Sequence, residues 1–495
     1  MRNRIQEFLP ILGYLGALFW VFGLIMLSSL LVTAFYANAG EAEVNPKCFL
    51  LPAGLALALG FVLKRRLGFP PIDSRGSMFV CALGWLAVSA LGALPLWMGL
   101  EGLSYLDAFF EAVSGFTTTG ITMLQGLDHM PRSLLFWRSL MQWLGGLGIL
   151  TFFLAVSFTG NAAQHLFSAE SHKIFSKRPA PGLTHTLAIL WGIYAGFTAL
   201  VAILLGAQGV GLYDAVSHAF TALSTGGYSP HDASIDFYRA AGYTHYRTIE
   251  YTIILAMLLG GINFFIHYRV LAGGVSALWD NLEMRLFWMI VAVATGLVML
   301  NHAMHALDDS LPDAFRHSLF QVVSILTTTG FATKDINTPY FPALAKQIFL
   351  VLMVVGGCVG STGGGIKVMR IAVLLKMVGR QLKKVLLGRR AVVPVVVDGE
   401  IIGPEELRRI SALFFAWMIL LAFGGATTAF FSELGAIESV SGMFSALGNI
   451  GPCYISVEQM TQLHPVVKLT YIAGMLAGRL EILPILLLFM PRAWK

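Results

Sequence analysis

Hydroxyl-rich stretches that end in glycine recur four times in this chain at corresponding places. They are Leu106 to Gly120 (LDAFFEAVSGFTTTG), Tyr213 to Gly227 (YDAVSHAFTALSTGG), Arg316 to Gly330 (RHSLFQVVSILTTTG) and Ile437 to Gly451 (IESVSGMFSALGNIG). Laid over one another without a gap, each has a hydroxyl six places before the final glycine: Ser114, Thr221, Ser324 and Ser445. Two places on stands a bulky apolar residue, Phe116, Leu223, Leu326 or Leu447. The chemistry open to such stretches is coordination of a dehydrated alkali cation, which needs a cage of oxygens in place of its water shell. The candidate linings are Thr117, Thr118, Thr119 and Gly120; Ser224, Thr225, Gly226 and Gly227; Thr327, Thr328, Thr329 and Gly330; Gly448, Asn449, Ile450 and Gly451. No carboxylate ring occurs at these positions, so the expected ligands are mainly backbone carbonyls with hydroxyls nearby. Glycine at the last place reaches backbone angles that a Cβ forbids and lets carbonyls point inward. One such stretch alone is equally well an ordinary re-entrant turn of a scaffold; four in register point to a pore.

The elements that must carry these stretches follow from hydropathy. Hydrophobic residues make up 56% of the 495, charged residues only 12%, and the mean hydropathy is +0.73. A soluble domain is excluded for most of the chain. Apolar runs of about 20 residues, enough to cross a bilayer, fall near 8–35, 48–64, 77–99, 133–157, 183–206, 248–271, 284–303, 341–365, 410–432 and 464–490. The first run is far longer than the h-region of a cleaved signal peptide, so a retained span is expected. The apolar stretch before each glycine is about twelve residues, which suits a half-helix that enters and turns back. Irregular backbone at that depth is tolerated only when buried in protein or lining a watery cavity.

The expected fold is therefore an all-α polytopic membrane protein with about ten transmembrane helices. Four parallel span, pore-loop, span repeats surround one pseudo-fourfold pore, preceded by two N-terminal helices. Expected divisions are 1–75 for those two helices, 76–160, 161–275 and 276–390 for the first three repeats, and 391–495 for a cytoplasmic hairpin and the fourth. Lys and Arg concentrate in segments such as Lys64, Arg65, Arg66, Lys173, Lys177, Arg178 and the stretch from Lys367 to Arg409, which places both termini in the cytoplasm. The net charge of +6 reflects this bias and implies no nucleic-acid partner. The four cysteines, Cys48, Cys81, Cys358 and Cys453, have no paired spacing that would suggest a disulfide framework or metal site.

A second register runs through the second spans. Gly146, Gly261, Gly357 and Gly478 occupy corresponding places, and the next residues are Leu147, Ile262, Cys358 and Arg479. A charge well inside an apolar run costs at least about 2.5–3.5 kcal/mol. Arg479 is thus expected to face the conduction path and raise a barrier to cations, the competing reading being a structural ion pair. Glu481 is a poor partner on the same helix, because residues two apart do not face each other. The third repeat breaks its second span with a run from Gly356 to Gly365, and Gly360, Ser361, Thr362, Gly363, Gly364 and Gly365 are the candidate gate. The other second spans are expected to be free of comparable interruptions. Close helix packing through small residues is the plainer account of these glycines. Ile366 separates Gly365 from Lys367, so a phosphate loop is not formed.

No HExxH, GxSxG or Ser/His/Asp arrangement stands out, and the chain is not expected to be an enzyme or to carry a covalently bound cofactor. His218, His302 and His305 read as packing or surface residues. Val392 to Ile402 reads as a small cytoplasmic hairpin turning at Asp398-Gly399. With the basic 376–390 stretch it offers a surface for an intracellular partner or for anionic membrane lipid.

The motifs SGFTTTG (114–120), LSTGGYS (223–229), LTTTGFA (326–332), GNIGP (448–452), GGCVGSTGGGIK (356–367) and AGRLEI (477–482) resemble the Trk/Ktr/HKT superfamily of cation transporters. The resemblance covers about the whole chain. It is closest to TrkH/TrkG-type membrane subunits of bacterial potassium uptake systems, which also have the two spans before the first repeat. It implies potassium as the ion transported at the filter residues, since glycine at the end of all four stretches goes with potassium and serine in the first with sodium. It further implies a gate formed by the glycine-rich loop and Arg479, a homodimer in the bacterial cytoplasmic membrane, and a cytosolic nucleotide-binding RCK-type regulatory subunit. Passive, proton-linked and sodium-linked transport all remain open, as does an uncoupled potassium or mixed sodium/potassium channel. Cys453 departs from the family, where many members have glycine.

Overall fold

The computed structural model describes residues 2–68, 72–148, 151, 183–305, 310–387 and 392–490, with side chains from residue 9 onward apart from a few at segment edges. Helices dominate, and the one sheet among the described residues is a two-residue hairpin. Among the described residues, six helices are long and apolar enough to cross a membrane: Leu9–Asn38, Lys47–Leu67, Arg75–Gly99, His185–Ala207, Leu282–Met304 and Pro404–Phe431. They coincide with the two N-terminal runs and with the first span of each repeat.

The first two form a hairpin packed through glycine. A Cβ on Gly60 would lie 2.7 Å from the Gly16 carbonyl oxygen and from the Trp20 nitrogen, and one on Gly16 would lie 2.6 Å from Leu63 Cβ. Without a hydrophobic driving force between helices in lipid, such close approach is what dispersion contacts require. This pair lies against repeat 1 and reaches its second span, where Phe22 and Phe49 meet Trp137 with ring centroids 5.7 and 6.4 Å apart.

Between the two spans of each repeat lies a short pore helix: Tyr105–Phe116, Leu212–Leu223, Leu311–Leu326 and Ala436–Gly448. The lengths are 12, 12, 16 and 13 residues, close to the expected twelve. Each has a carboxylate in its first turn, Asp107, Asp214, Asp313 or Glu438, where it complements the positive helix end. Ser104 and Ser310 cap two of them by accepting the N–H of Asp107 at 3.1 Å and Asp313 at 3.4 Å. The register residues Phe116, Leu223, Leu326 and Leu447 are fully buried.

The second spans differ from expectation. The helix of each second span stops or bends early, not that of the third alone. The first ends at Gly146; the second bends by 106° between Tyr246–Gly261 and Phe264–Leu271; the third stops at Val355; the fourth stops at Arg479 and resumes at Leu483. The cause is crowding at the pore-helix ends. Cβ atoms at Gly145, Gly260 and Gly478 would run into the carbonyl oxygens of Phe116, Leu223 and Leu447. Those carbonyls come from the bulky register residues, so glycine is required wherever a second span crosses a pore-helix terminus.

The hairpin expected over 392–402 is present. Strands β1 (Val396–Val397) and β2 (Glu400–Ile401) pair antiparallel, with Asp398 at φ 47° and Gly399 at φ 85°, the positive values a two-residue turn needs.

Candidate functional site

At the C-terminal end of each pore helix the chain leaves the helix in the same way. The N–H groups of Thr119, Gly226, Thr329 and Ile450 donate to the carbonyls of Ser114, Thr221, Ser324 and Ser445, at 2.8, 2.8, 2.8 and 3.0 Å. These acceptors are the four hydroxyl positions of the sequence register. The preceding residues, Thr118, Thr225, Thr328 and Asn449, have φ of 54°, 52°, 60° and 55°. A β-branched residue in the left-handed region is a real outlier, and three of the four are threonine. Gly120, Gly227, Gly330 and Gly451 follow at φ 84°, 73°, 91° and 103°.

The four exits meet around one axis. A Cβ on Gly120 would strike the Gly226 carbonyl oxygen, one on Gly227 that of Thr329, one on Gly330 that of Ile450, and one on Gly451 would lie 3.0 Å from that of Thr119. Each glycine thus abuts the carbonyl of the next repeat, and the fourth returns to the first. All of the candidate lining residues from Thr117 to Thr119, with Ser224, Thr225, Thr327 to Thr329, Asn449 and Ile450, are buried. Hydroxyl bridges repeat within the ring: Thr117 and Thr119 Oγ1 are 2.7 Å apart, Thr327 and Thr329 Oγ1 2.8 Å.

The ring separates two cavities. The outer one, about 490 Å³, is lined by all four filter glycines. The inner one, about 140 Å³, is lined by Gly146, Asn263, Gly360, Ser361, Gly363, Gly364, Lys367, Gly478 and Arg479. Arg479 reaches across repeats: its guanidinium donates to Thr118 Oγ1 at 3.3 Å, to the Thr362 carbonyl at 2.5 Å, to that of Gly145 at 2.5 Å, and to that of Gly146. The glycine-rich loop presses on the underside of the ring. Gly364 N–H donates to Thr328 Oγ1 at 2.7 Å, and Thr362 and Thr225 hydroxyls are 3.1 Å apart. Gly360 and Gly365 adopt φ 72° and 73°. The structure therefore brings Gly360 to Gly364 and Arg479 to the inner cavity or the underside of the ring, while Gly365 packs on Gly356. Glu481 pairs with Arg370.

Several residues at the site were not found from the sequence. On the outer side, pore-helix side chains hold the chain just beyond each glycine. Glu111 accepts from Met123 N–H at 2.7 Å and Thr122 Oγ1 at 3.0 Å; His218 contacts Ser229 Oγ at 3.2 Å; His317 contacts Thr333 Oγ1 at 2.9 Å; Ser441 accepts from Tyr454 N–H at 2.9 Å. Gln142 donates to the Gly226 carbonyl at 2.7 Å and accepts from Tyr228 N–H at 3.0 Å. Buried pairs Arg138–Glu111 (2.7 Å) and Arg316–Glu250 (2.5 Å) tie pore helices to second spans. Arg479 is therefore one of several basic groups removed from solvent. A polar residue nine places before the glycine marks Glu111 and His218, but in repeat 3 that place holds Gln321 and not His317, and in repeat 4 it holds Gly442.

At the rim, His231 sits between Asp128 (2.5 Å) and Asp214 (3.3 Å) and stacks on Phe237 with centroids 3.5 Å apart. Burial alone would lower its pKa, but the two carboxylates outweigh burial and raise it. Asp128 is held below the usual carboxylate value: burial opposes this, and the hydrogen bond from His231 and the Asp232 N–H prevail.

The sequence model of the TrkH family, described as cation transport proteins, matches residues 56–495. The Trk system potassium uptake protein TrkH of Salmonella typhimurium is 32% identical over 494 residues, covering 98% of each chain. Its Escherichia coli counterpart is 32% identical over 501 residues, covering 99% of this chain and 100% of that one. The crystal structure of the potassium transporter TrkH from Vibrio parahaemolyticus covers 100% of both chains with a TM-score of 0.84 at 29% identity. Matched along nearly its whole length by model, relatives and structure, the chain belongs to the TrkH family of cation transport proteins.

Proposed function

We propose that this protein takes up potassium across the bacterial cytoplasmic membrane, with both termini in the cytoplasm. The observation that carries the reading is the closed ring of four glycine-to-carbonyl contacts at the ends of four pore helices, between an outer and an inner cavity. Helix C-terminal ends carry partial negative charge, so four of them converging on one place favour a cation. In this reading Thr118, Thr119 and Gly120, Thr225, Gly226 and Gly227, Thr328, Thr329 and Gly330, and Asn449, Ile450 and Gly451 coordinate potassium, chiefly through backbone oxygens. The loop from Gly360 to Gly365 with Arg479 is the gate. The names of the relatives support potassium as the ion, and in this reading the two helices of 1–75 precede four repeats, 76–160, 161–275, 276–390 and 391–495, each with one filter stretch.

In the cell the subunit pairs as a homodimer and is controlled by a cytosolic RCK-type nucleotide-binding ring on its inner face. The deciding experiment is flux in purified proteoliposomes under separately imposed potassium, sodium and proton gradients. Potassium uptake with discrimination against sodium is expected. Accumulation driven by a proton or sodium gradient identifies coupling, whereas flux that only dissipates the potassium gradient identifies an uncoupled channel. Equal sodium and potassium flux overturns the selectivity, and no flux overturns the function.

A further inference from the structure

Both roots of the glycine-rich loop converge on one carboxylate oxygen that lies outside the loop. Glu283, in the first turn of the third repeat's first span, is buried, and its Oε1 accepts from Val359 N–H at 2.8 Å and from Met369 N–H at 3.2 Å. The two N–H groups flank the loop, one just before Gly360 and the other two residues after Lys367. The roots are also joined directly, Val368 N–H donating to the Gly357 carbonyl at 3.1 Å.

We propose that Glu283 is the clip that holds the loop shut, a positioning residue that keeps the two roots side by side so that the span between them stays under the filter. The physical reason is valence. N–H groups at a break in a helix have lost their intrahelical acceptors, and a buried donor left unmade is expensive. One buried oxygen accepting from both at once satisfies the two donors and fixes the distance between the roots. The loop's other contacts, the hydroxyl bonds to Thr328 and Thr225 and the bond from Arg479 to the Thr362 carbonyl, hold its middle to the ring and do not hold one root to the other. Moving the loop out therefore requires release at Glu283 first.

The proposal rests on the reading of the loop as a gate, so its test separates the two. Cys358, a free thiol next to Val359, is fully buried, its Sγ 4.0 Å from Met284 Sδ, and it reports release of the root independently of ion flux. Purified full-length protein would be treated with N-ethylmaleimide, and modification of the Cys358 peptide followed by mass spectrometry, alongside potassium flux in proteoliposomes. Glu283→Leu removes the acceptor; Glu283→Gln keeps an oxygen in the same place; Glu283→Asp draws the oxygen back by one methylene.

The expected result is Cys358 modification at least about tenfold faster in Glu283→Leu, with higher potassium flux, and both within about twofold of the parent in Glu283→Gln. Unchanged modification in a folded Glu283→Leu protein overturns the clip, as does a Glu283→Gln protein that behaves like Glu283→Leu. Faster modification with parental flux keeps the clip and overturns the gate. If Glu283→Leu aggregates, Glu283→Asp decides: intermediate modification supports the clip, and the parental rate overturns it.

Discussion

Gly120 stands at φ 84° with the Gly226 carbonyl oxygen in the place a Cβ would occupy. Serine there adds backbone strain of about 1–3 kcal/mol and pushes a ring carbonyl aside. Since a factor of ten corresponds to about 1.4 kcal/mol, Gly120→Ser is expected to lower the potassium-to-sodium permeability ratio about tenfold. Bi-ionic flux in proteoliposomes measures this, and an unchanged ratio in a folded, conducting protein removes the position from selectivity. The glycine itself was readable from the sequence, because four stretches in register expose it. Its neighbour was not: nothing in TTTG announces that Thr118, Thr225 and Thr328 adopt left-handed angles, for that strain is imposed by the ring. Likewise Glu111, Gln142 and Glu283 act on partners far along the chain or across a repeat boundary, and no local spacing encodes such contacts.

Among the elements, the second spans depart most from what hydropathy suggests. A run such as 464–490 is apolar throughout, so it reads as one helix, yet the helix stops at Arg479 and resumes at Leu483, just past the place where Gly478 meets the pore-helix carbonyl of Leu447. Steric demands at crossings are invisible to a hydropathy window. The break frees the Arg479 guanidinium to bridge repeat 1 and the loop of repeat 3. Removing it takes away both a positive charge and a tie between moving parts. Arg479→Ala is therefore expected to raise potassium flux at least about tenfold. A protein that instead fails to assemble in detergent would assign Arg479 a purely structural role.

The outer loops make a second inter-element contact, with a definite pH sign. His231 has a pKa raised above 6.5, so the stability it contributes is fully present below that value and lost as pH rises through the raised one. Asp128 has a depressed pKa, so its contribution is present above 3.8 and lost as pH falls through the depressed value. Between those limits the contact is complete. The melting temperature of detergent-purified protein is expected to drop by about 1 °C on the alkaline side, and His231→Asn should abolish that component of the pH profile. A profile identical to the parent's would show that the contact adds no stability.

On the scale of the whole molecule, the helix Val368–Leu387 leads directly out of the glycine-rich loop and carries Lys376, Arg380, Lys383 and Lys384. A partner gripping it needs no long relay, since the helix begins one residue after Lys367. Replacing Lys383 and Lys384 with Glu is expected to weaken docking of an RCK-type ring by about tenfold or more through like-charge repulsion, with ion preference unchanged. A pull-down paired with flux measurement checks it; full binding and an intact nucleotide response would place the contact elsewhere. The hairpin after this helix lies close to the gate as well, Asp398 accepting from Leu282 N–H at 2.9 Å, next to Glu283. Because all four pore stretches belong to one polypeptide, each quadrant can hold a part that the others lack. A pore assembled from four identical chains would place every residue four times over. Four guanidiniums about 8 Å apart would repel by roughly 2 kcal/mol per pair at an effective dielectric near 20. Gene fusion escapes that multiplication: where the fourth quadrant carries Arg479, the others carry Leu147, Ile262 and Cys358, so selection can tune one barrier and one loop without disturbing the ring they serve.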